Sequence, residues 1–134
     1  MKKQEIQFKI LFRSPKFPVI VISQDKLLAS HDIDTLAIAL LSVPPPSEKD
    51  YVKVIDFTGE EFWFYPEKIY LAPGFFPKKW TKKRVIELYN NSSNAKESNS
   101  NYPLKSLSSK KFSRIIGEIC ELLSSEQWRN CDTV

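Results

Sequence analysis

Residues 112–123 read Phe-Ser-Arg-Ile-Ile-Gly-Glu-Ile-Cys-Glu-Leu-Leu, and this stretch decides the fold. Its large apolar residues recur every three or four positions, which is the spacing of one face of an α-helix. Burial of that face would contribute about 10 kcal/mol gross, at ~1.5–3 kcal/mol for each large side chain. Ser108 or Ser109 is placed to cap the helix start. We therefore predict a C-terminal helix over 108–125 that docks on the rest of the chain, most simply on a β-sheet.

The chain upstream of this helix carries the patterns of that sheet. Residues 4–12 alternate apolar and polar side chains, which is typical of a half-buried strand. Residues 19–22 are Val-Ile-Val-Ile, a β-branched run that suits a more buried strand. Further β-prone runs predict a hairpin with Gly59 in a left-handed conformation, and then one more short strand. These runs cover 51–57, 61–65 and 69–71.

Two further helices are predicted between the strands and the C-terminal helix. Residues 31–42 place apolar side chains at helical spacing, and three prolines at 44–46 end the pattern because proline lacks an amide. A second helix begins after Thr81 and has Val85, Ile86 and Tyr89 on one side. The predicted fold is α+β, with a mostly antiparallel sheet of four to five strands in the order ββαβββαα. Two to three helices cover one face of this sheet.

Residues 90–101 contain no apolar residue other than Ala95. Such a segment buries too little surface to offset its ordering entropy, so we predict a mobile linker there. Gly117 interrupts the C-terminal helix, where glycine is less favourable than alanine. We expect it to mark close packing against another part of the backbone.

The length of 134 residues fits one domain over 1–134. The two cysteines, Cys120 and Cys131, are too few for a disulfide framework, and Cys120 lies at the edge of the apolar face as a buried thiol would. The longest apolar run, 36–41, is far shorter than the ~20 residues of a membrane helix. We expect a cytoplasmic protein with no membrane contact.

Several kinds of catalytic or cofactor site lack the residues they need. His31 is the single histidine, and its neighbours Ser30 and Asp32 are better placed to cap the first helix than to form a triad with it. One histidine and two cysteines do not make a zinc site. Three separated glycines do not make a phosphate-binding loop. Glu60 and Glu61 fall at a turn where adjacent side chains diverge, so no cofactor, metal or catalytic residue is predicted.

Positive charge is concentrated in one part of the chain. The net charge is +4, but residues 78–115 hold 10 basic and 2 acidic residues, and 10 − 2 gives +8. Within this part, residues 75–84 read Phe-Phe-Pro-Lys-Lys-Trp-Thr-Lys-Lys-Arg. Cations there and at the start of the last helix would form one surface if the two late helices lie side by side. The candidate interaction surface comprises Phe76, Lys78, Lys79, Trp80, Lys82, Lys83, Arg84, Lys110, Lys111 and Arg114.

Three functions remain open for this surface and for the chain. The first is a small non-enzymatic interaction module, like an inhibitor or regulatory subunit, that binds an acidic protein surface. The second is a nucleic-acid-binding domain that uses the 75–84 segment, since cations neutralise phosphates and aromatic rings stack on bases. The third is an enzyme with a site of carboxylates and tyrosines. The aromatic residues also have an unspecialised interpretation, as core residues rimmed by solvated lysines.

Overall fold

The computed structural model describes residues 8–24, 26–42, 52–66, 69–74, 79–99 and 101–132, with side chains as far as residue 124. The elements in these ranges are, in chain order, β1 (Lys9–Ile10), β2 (Val19–Ser23), β3 (Lys26–Ser30), α1 (Ile33–Ser42), β4 (Val52–Ile55), β5 (Glu61–Tyr65), β6 (Tyr70–Pro73), α2 (Lys82–Asn91), α3 (Ser93–Ser98), α4 (Ser106–Ser109) and α5 (Phe112–Asp132).

The strands form one mixed sheet in the order β1-β6-β5-β4-β2-β3. β1 pairs with β6 in parallel, and the other neighbouring pairs are antiparallel. The α+β class is confirmed. The predicted strand count and element order are wrong in detail, because β3 and the short helices α3 and α4 were not among the predicted elements.

Helices lie on both faces of the sheet, so the prediction of one covered face is wrong. The reason is the alternation of side chains along β2. Ile20 belongs to a core with residues of α2, α3 and α5. Val19 and Val21 point the other way, into a core with Leu36 and Leu40 of α1. A continuous β-branched run such as 19–22 is typical of a strand buried on both faces.

The β4–β5 hairpin is closed by the buried carboxylate of Asp56. Its Oδ1 accepts hydrogen bonds from the backbone N–H groups of Thr58 and Glu60, at 2.8 and 3.0 Å. Its Oδ2 accepts one from the N–H of Lys16 at 3.1 Å, which ties the segment before β2 to the turn. Gly59 has φ of +94°, so the predicted left-handed conformation is confirmed.

The range predicted as a mobile linker, 90–101, contains secondary structure in its described part. The Ser92 side chain caps α3 by accepting a hydrogen bond from the N–H of Ala95 at 3.3 Å. Ala95 and Asn94 are both buried. The prediction rested on the small number of apolar residues, whereas this segment is held by a cap and by polar contacts to β3.

The last helix starts at Phe112, four residues after the predicted start, because α4 occupies Ser106–Ser109. Most of its apolar face is buried, at Ile115, Ile116, Ile119 and Leu123, whereas Leu122 is 40% exposed. Cys120 is the expected buried thiol, with its Sγ 3.6 Å from the carbonyl oxygen of Val19, and burial raises its pKa to about 12. The expectation of close packing at Gly117 is wrong, because a Cβ there would meet nothing within 4 Å.

Candidate interaction surface

The cations at the start of α2 and those at the start of α5 lie on adjoining parts of the molecule. Lys82 Nζ donates a hydrogen bond to the carbonyl oxygen of Leu107 at 3.0 Å, and Leu107 lies in α4, the short helix just before α5. Beneath this contact, buried residues of α2 and α5 share one core. We call the described members of this surface the basic face: Lys79, Trp80, Lys82, Lys83, Arg84, Lys110, Lys111 and Arg114. Phe76 and Lys78 of the predicted surface lie outside the described residues.

Trp80 is fixed in place by three contacts. Its backbone N–H donates to the carbonyl oxygen of Gly59 at 2.8 Å. Its indole Nε1 donates to Glu61 Oε1 at 2.9 Å, and the Arg84 guanidinium lies 4.1 Å from the centre of its ring. The indole also packs against the core beneath α2. Trp80 therefore anchors the start of α2 to the β4–β5 hairpin and offers little free ring to a partner.

Glu61 has a role that the sequence did not indicate. Its Oε1 accepts from Trp80, and its Oε2 accepts from the Trp63 indole Nε1 at 2.6 Å. Both indole donors are thus satisfied by one carboxylate. Glu61 is therefore a structural contact residue, which joins Trp63 of its own strand to Trp80 at the start of α2.

Lys110 and Arg114 share the carboxylate of Glu118. Lys110 Nζ is 2.6 Å from Oε1, and Arg114 Nε is 3.1 Å from Oε2. The Tyr102 hydroxyl also donates to Oε1 at 2.5 Å. The hydrogen bonds from Lys110 and Tyr102 lower the pKa of Glu118 to about 2. Within the basic face, these two cations are therefore already paired.

The same cluster changes the protonation of its neighbours. Hydrogen bonding to Glu118 raises the pKa of Lys110. Burial, with the hydrogen bond to Glu118, raises the pKa of Tyr102. The ammonium of Lys110 also lies 5.2 Å from the centre of the Tyr102 ring. At neutral pH Glu118 is therefore anionic, Lys110 is cationic and Tyr102 keeps the hydroxyl proton that it donates to Glu118. These contacts hold the segment around Tyr102 against α5.

Five cations of the basic face are exposed, and two of them have a partner, because Arg84 lies over the Trp80 ring and Arg114 pairs with Glu118. The other three are Lys79, Lys83 and Lys111. They form no ion pair with a described residue. Thr81 caps α2 by accepting the N–H of Arg84 at 3.2 Å, and the first turn of α2 carries no acidic residue. Cations in a first turn oppose the helix dipole by a few tenths of a kcal/mol. The arrangement therefore keeps unpaired positive charge at this position despite a small loss of helix stability.

Across the described ranges, no three His, Cys, Asp or Glu side chains are grouped as a metal site would require. Within those ranges, no helix combines the length and apolar character needed to cross a bilayer. Comparison of the chain with protein-family models, with curated proteins and with solved structures found no match.

The cations of the basic face are visible in the sequence, but the groups that bind them are not. One signal was available, because Arg114 and Glu118 are four residues apart on a predicted helix, where oppositely charged side chains meet. No local pattern indicated the contact of Tyr102 with Glu118, or that of Lys82 with the carbonyl of Leu107. These contacts depend on how the segment between α2 and α5 folds back.

Proposed function

We propose that this protein is a small non-enzymatic interaction module that binds an acidic protein surface through the basic face. The observation that carries the proposal is the joining of two cationic segments by the contact of Lys82 with Leu107, 25 residues apart in the chain. Because the helices hold these charges on a fixed scaffold, a partner gains charge complementarity without ordering a flexible basic tail. Such complementarity determines mainly association rate and specificity.

Lys83 and Lys111 are the residues we expect to contribute most. Both side chains are exposed. Lys83 lies at the start of α2, and Lys111 lies just before α5. Lys110 and Arg114 contribute less new binding energy, because a partner carboxylate would have to compete with Glu118 for them. The partner therefore meets exposed charge that has no ion pair with a described residue on Lys79, Lys83 and Lys111, and also on Arg84 over the Trp80 ring.

Nucleic-acid binding is the second candidate function. The basic face supports contacts of cations with phosphates, but not the stacking of bases on an aromatic ring. Single-stranded binding sites combine cations with aromatic rings on which bases stack. Trp80 has its indole N–H on Glu61 and one ring face under Arg84, so it is poorly placed as a stacking platform. Phosphate contact without stacking would give binding that depends steeply on salt and little on sequence.

The free, buried thiol of Cys120 supports a cytoplasmic location, where thiols are kept reduced. In that compartment, the binding partner would be an intracellular protein with a cluster of Asp and Glu side chains. An ion-pair interface of this kind weakens as salt screens the charges, with a Debye length of about 8 Å at physiological ionic strength.

The proposal is tested with the double variant Lys83→Glu/Lys111→Glu and a matched control, Lys26→Glu/Lys96→Glu. The control changes two exposed lysines, one in β3 and one in α3, so the net charge changes equally in both variants. Each protein is used to capture partners from nuclease-treated lysate of the source cells, with quantification by mass spectrometry. We expect one dominant protein with an acidic surface, retained by the control variant and lost by the basic-face variant.

The identified partner is then titrated against both variants at increasing salt. An affinity that falls with salt for wild type and control, and is absent for the basic-face variant, supports the proposal. Equal capture by the two variants, or no reproducible partner, would contradict it. Capture seen only in a parallel lysate that is not treated with nuclease, with gel shifts of oligonucleotides by wild type and not by the basic-face variant, would establish the nucleic-acid alternative.

A further inference from the structure

A groove of about 590 Å³ runs along the outer edge of β3, with α1 on one side and α5 on the other. Its walls are largely apolar, and they include Leu28 of β3 with Ile38 and Ala39 of α1. Ile38 is 67% exposed, although it is a large aliphatic residue on a helix that packs against the sheet. The volume lies within the range of ~300–1,000 Å³ that small-molecule sites occupy.

The floor of the groove includes a buried hydroxyl group without a partner. Ser30 lines the groove and is 1% exposed, and its Oγ has no hydrogen-bond partner in the described part of the chain. Alternation along β3 places Ser30 on the same side as Leu28, which faces the α1 core. Buried hydroxyl groups are normally hydrogen-bonded, so an orphan hydroxyl in a groove indicates a missing partner.

A second polar group lies at the side of the groove. His31 Nε2 and Ser124 Oγ are 3.0 Å apart, and both residues line the groove. The Asp32 carboxylate is committed to α1, where its Oδ1 accepts from the N–H and the hydroxyl of Thr35 at 2.8 and 2.9 Å. It is therefore not the third member of a catalytic triad with His31 and Ser124. The pair offers hydrogen bonds to a ligand rather than an activated nucleophile.

We propose that this groove binds a small, neutral, amphipathic molecule with a hydroxyl or carboxamide group at one end. Its apolar body lies along Leu28 and Ile38, and its polar end bonds to Ser30 and to the His31–Ser124 pair. Hydroxyl groups both donate and accept, which matches a ligand group that does the same. The exposed negative charge of Asp32 beside the groove disfavours a carboxylate or phosphate. This site is separate from the basic face and does not depend on the proposed partner.

The test uses 2-naphthol as a neutral probe and 2-naphthoate as the anion with the same ring body. Each is titrated into the full chain at pH 7, and binding is followed by shifts of backbone amide signals in ¹H–¹⁵N spectra. We expect saturable shifts with 2-naphthol that are confined to β3, α1 and Ser124, and weaker binding of 2-naphthoate. Tighter binding of 2-naphthoate, or shifts spread over the whole surface, would overturn the proposal.

Two variants connect the binding to the groove. Ser30→Ala should lower the affinity for 2-naphthol by roughly 3- to 10-fold. It should not lower thermal stability, because the hydroxyl has no internal hydrogen bond to lose. Ile38→Ser should also weaken it, whereas Leu104→Ser, which changes an exposed leucine outside the groove, should not. Unchanged affinity in both Ser30→Ala and Ile38→Ser would place the probe elsewhere and overturn the proposal.

Discussion

The side-chain amide of Asn94 pairs with both backbone groups of Leu27. Asn94 Oδ1 accepts from the N–H of Leu27 at 2.7 Å, and Nδ2 donates to its carbonyl oxygen at 3.1 Å. β3 is the last strand of the sheet, and Leu27 is buried. Asn94 therefore occupies the place of a further strand at this position, and it blocks the edge to another chain.

Asn94→Ala should lower the free energy of unfolding by about 2–4 kcal/mol, because two buried backbone groups lose their partner. Urea denaturation followed by circular dichroism measures this change. Asn91→Ala, at an exposed position at the end of α2, is the control and should change stability by less than about 0.5 kcal/mol. Equal effects of the two substitutions would show that the pairing does not stabilise the edge.

Two glycine-to-alanine substitutions should change the stability of the protein in opposite directions. Gly59→Ala forces a side chain into φ of +94° and places Cβ 3.1 Å from Phe112 Cζ, so stability should fall by about 1–3 kcal/mol. Gly117→Ala adds a methyl group to open space within α5 and should raise stability by about 0.5–1 kcal/mol. Thermal unfolding of the two variants beside wild type tests both signs, and a destabilising Gly117→Ala would contradict the open packing seen there.

Glu118→Gln should destabilise the protein at neutral pH and not in strong acid. The folded pKa of about 2 lies below the ordinary 4.5, so the carboxylate contributes stability above about pH 4.5 and loses it as the pH falls towards 2. At pH 7 we expect a loss of about 1 kcal/mol or less, because Glu118 is 31% exposed and its ion pairs are screened. The measurement is the unfolding free energy of both proteins from pH 2 to pH 7.

Glu97→Gln is the control for this titration, since Glu97 is an exposed carboxylate on α3. Its effect on stability should be small across the same pH range. A difference between wild type and Glu118→Gln that persists unchanged at pH 2 would mean that the substitution acts through packing, rather than through the charge of the carboxylate.

Trp80→Phe separates anchoring from binding. Loss of the indole N–H removes one hydrogen bond to Glu61, which keeps that from Trp63, so stability should fall by about 1–2 kcal/mol. The affinity for the acidic partner should stay near that of wild type, whereas Lys83→Glu should lower affinity and leave stability unchanged. Isothermal titration with the partner, together with thermal unfolding, gives both quantities. Loss of binding in Trp80→Phe at preserved stability would instead make the ring a contact residue.

Much of the framework follows from local patterns in the sequence. β2, α1 and the apolar face of α5 are visible as periodicities, and the left-handed Gly59 follows from a glycine between two β-prone runs. The cations of the basic face are equally visible, since charge is a property of composition. These features could be predicted because each is set by residues close together in the chain.

The features that could not be predicted depend on distant contacts. β3 follows β2 through a turn in which Gln24 has φ of +58°, without the Asn-Gly or Asp-Gly pair that usually indicates such a turn. α3 forms in a serine- and asparagine-rich segment because Ser92 caps it and Asn94 pairs with Leu27. The groove arises where β3, α1 and α5 meet, so its lining residues share no local pattern.

The contact between Cys120 and Val19 spans 101 residues. A ribosome adds about 5–20 residues each second. The helix that covers one face of β2 is therefore synthesised roughly 5 to 20 s after β2 itself. Ile20, Leu27 and Ala29 belong to that face. During synthesis these apolar side chains are exposed on an incomplete sheet, and exposed apolar surface of this kind is what chaperones bind. Slow codons placed before the segment encoding α5 would prolong this exposed state and lower the yield of native protein.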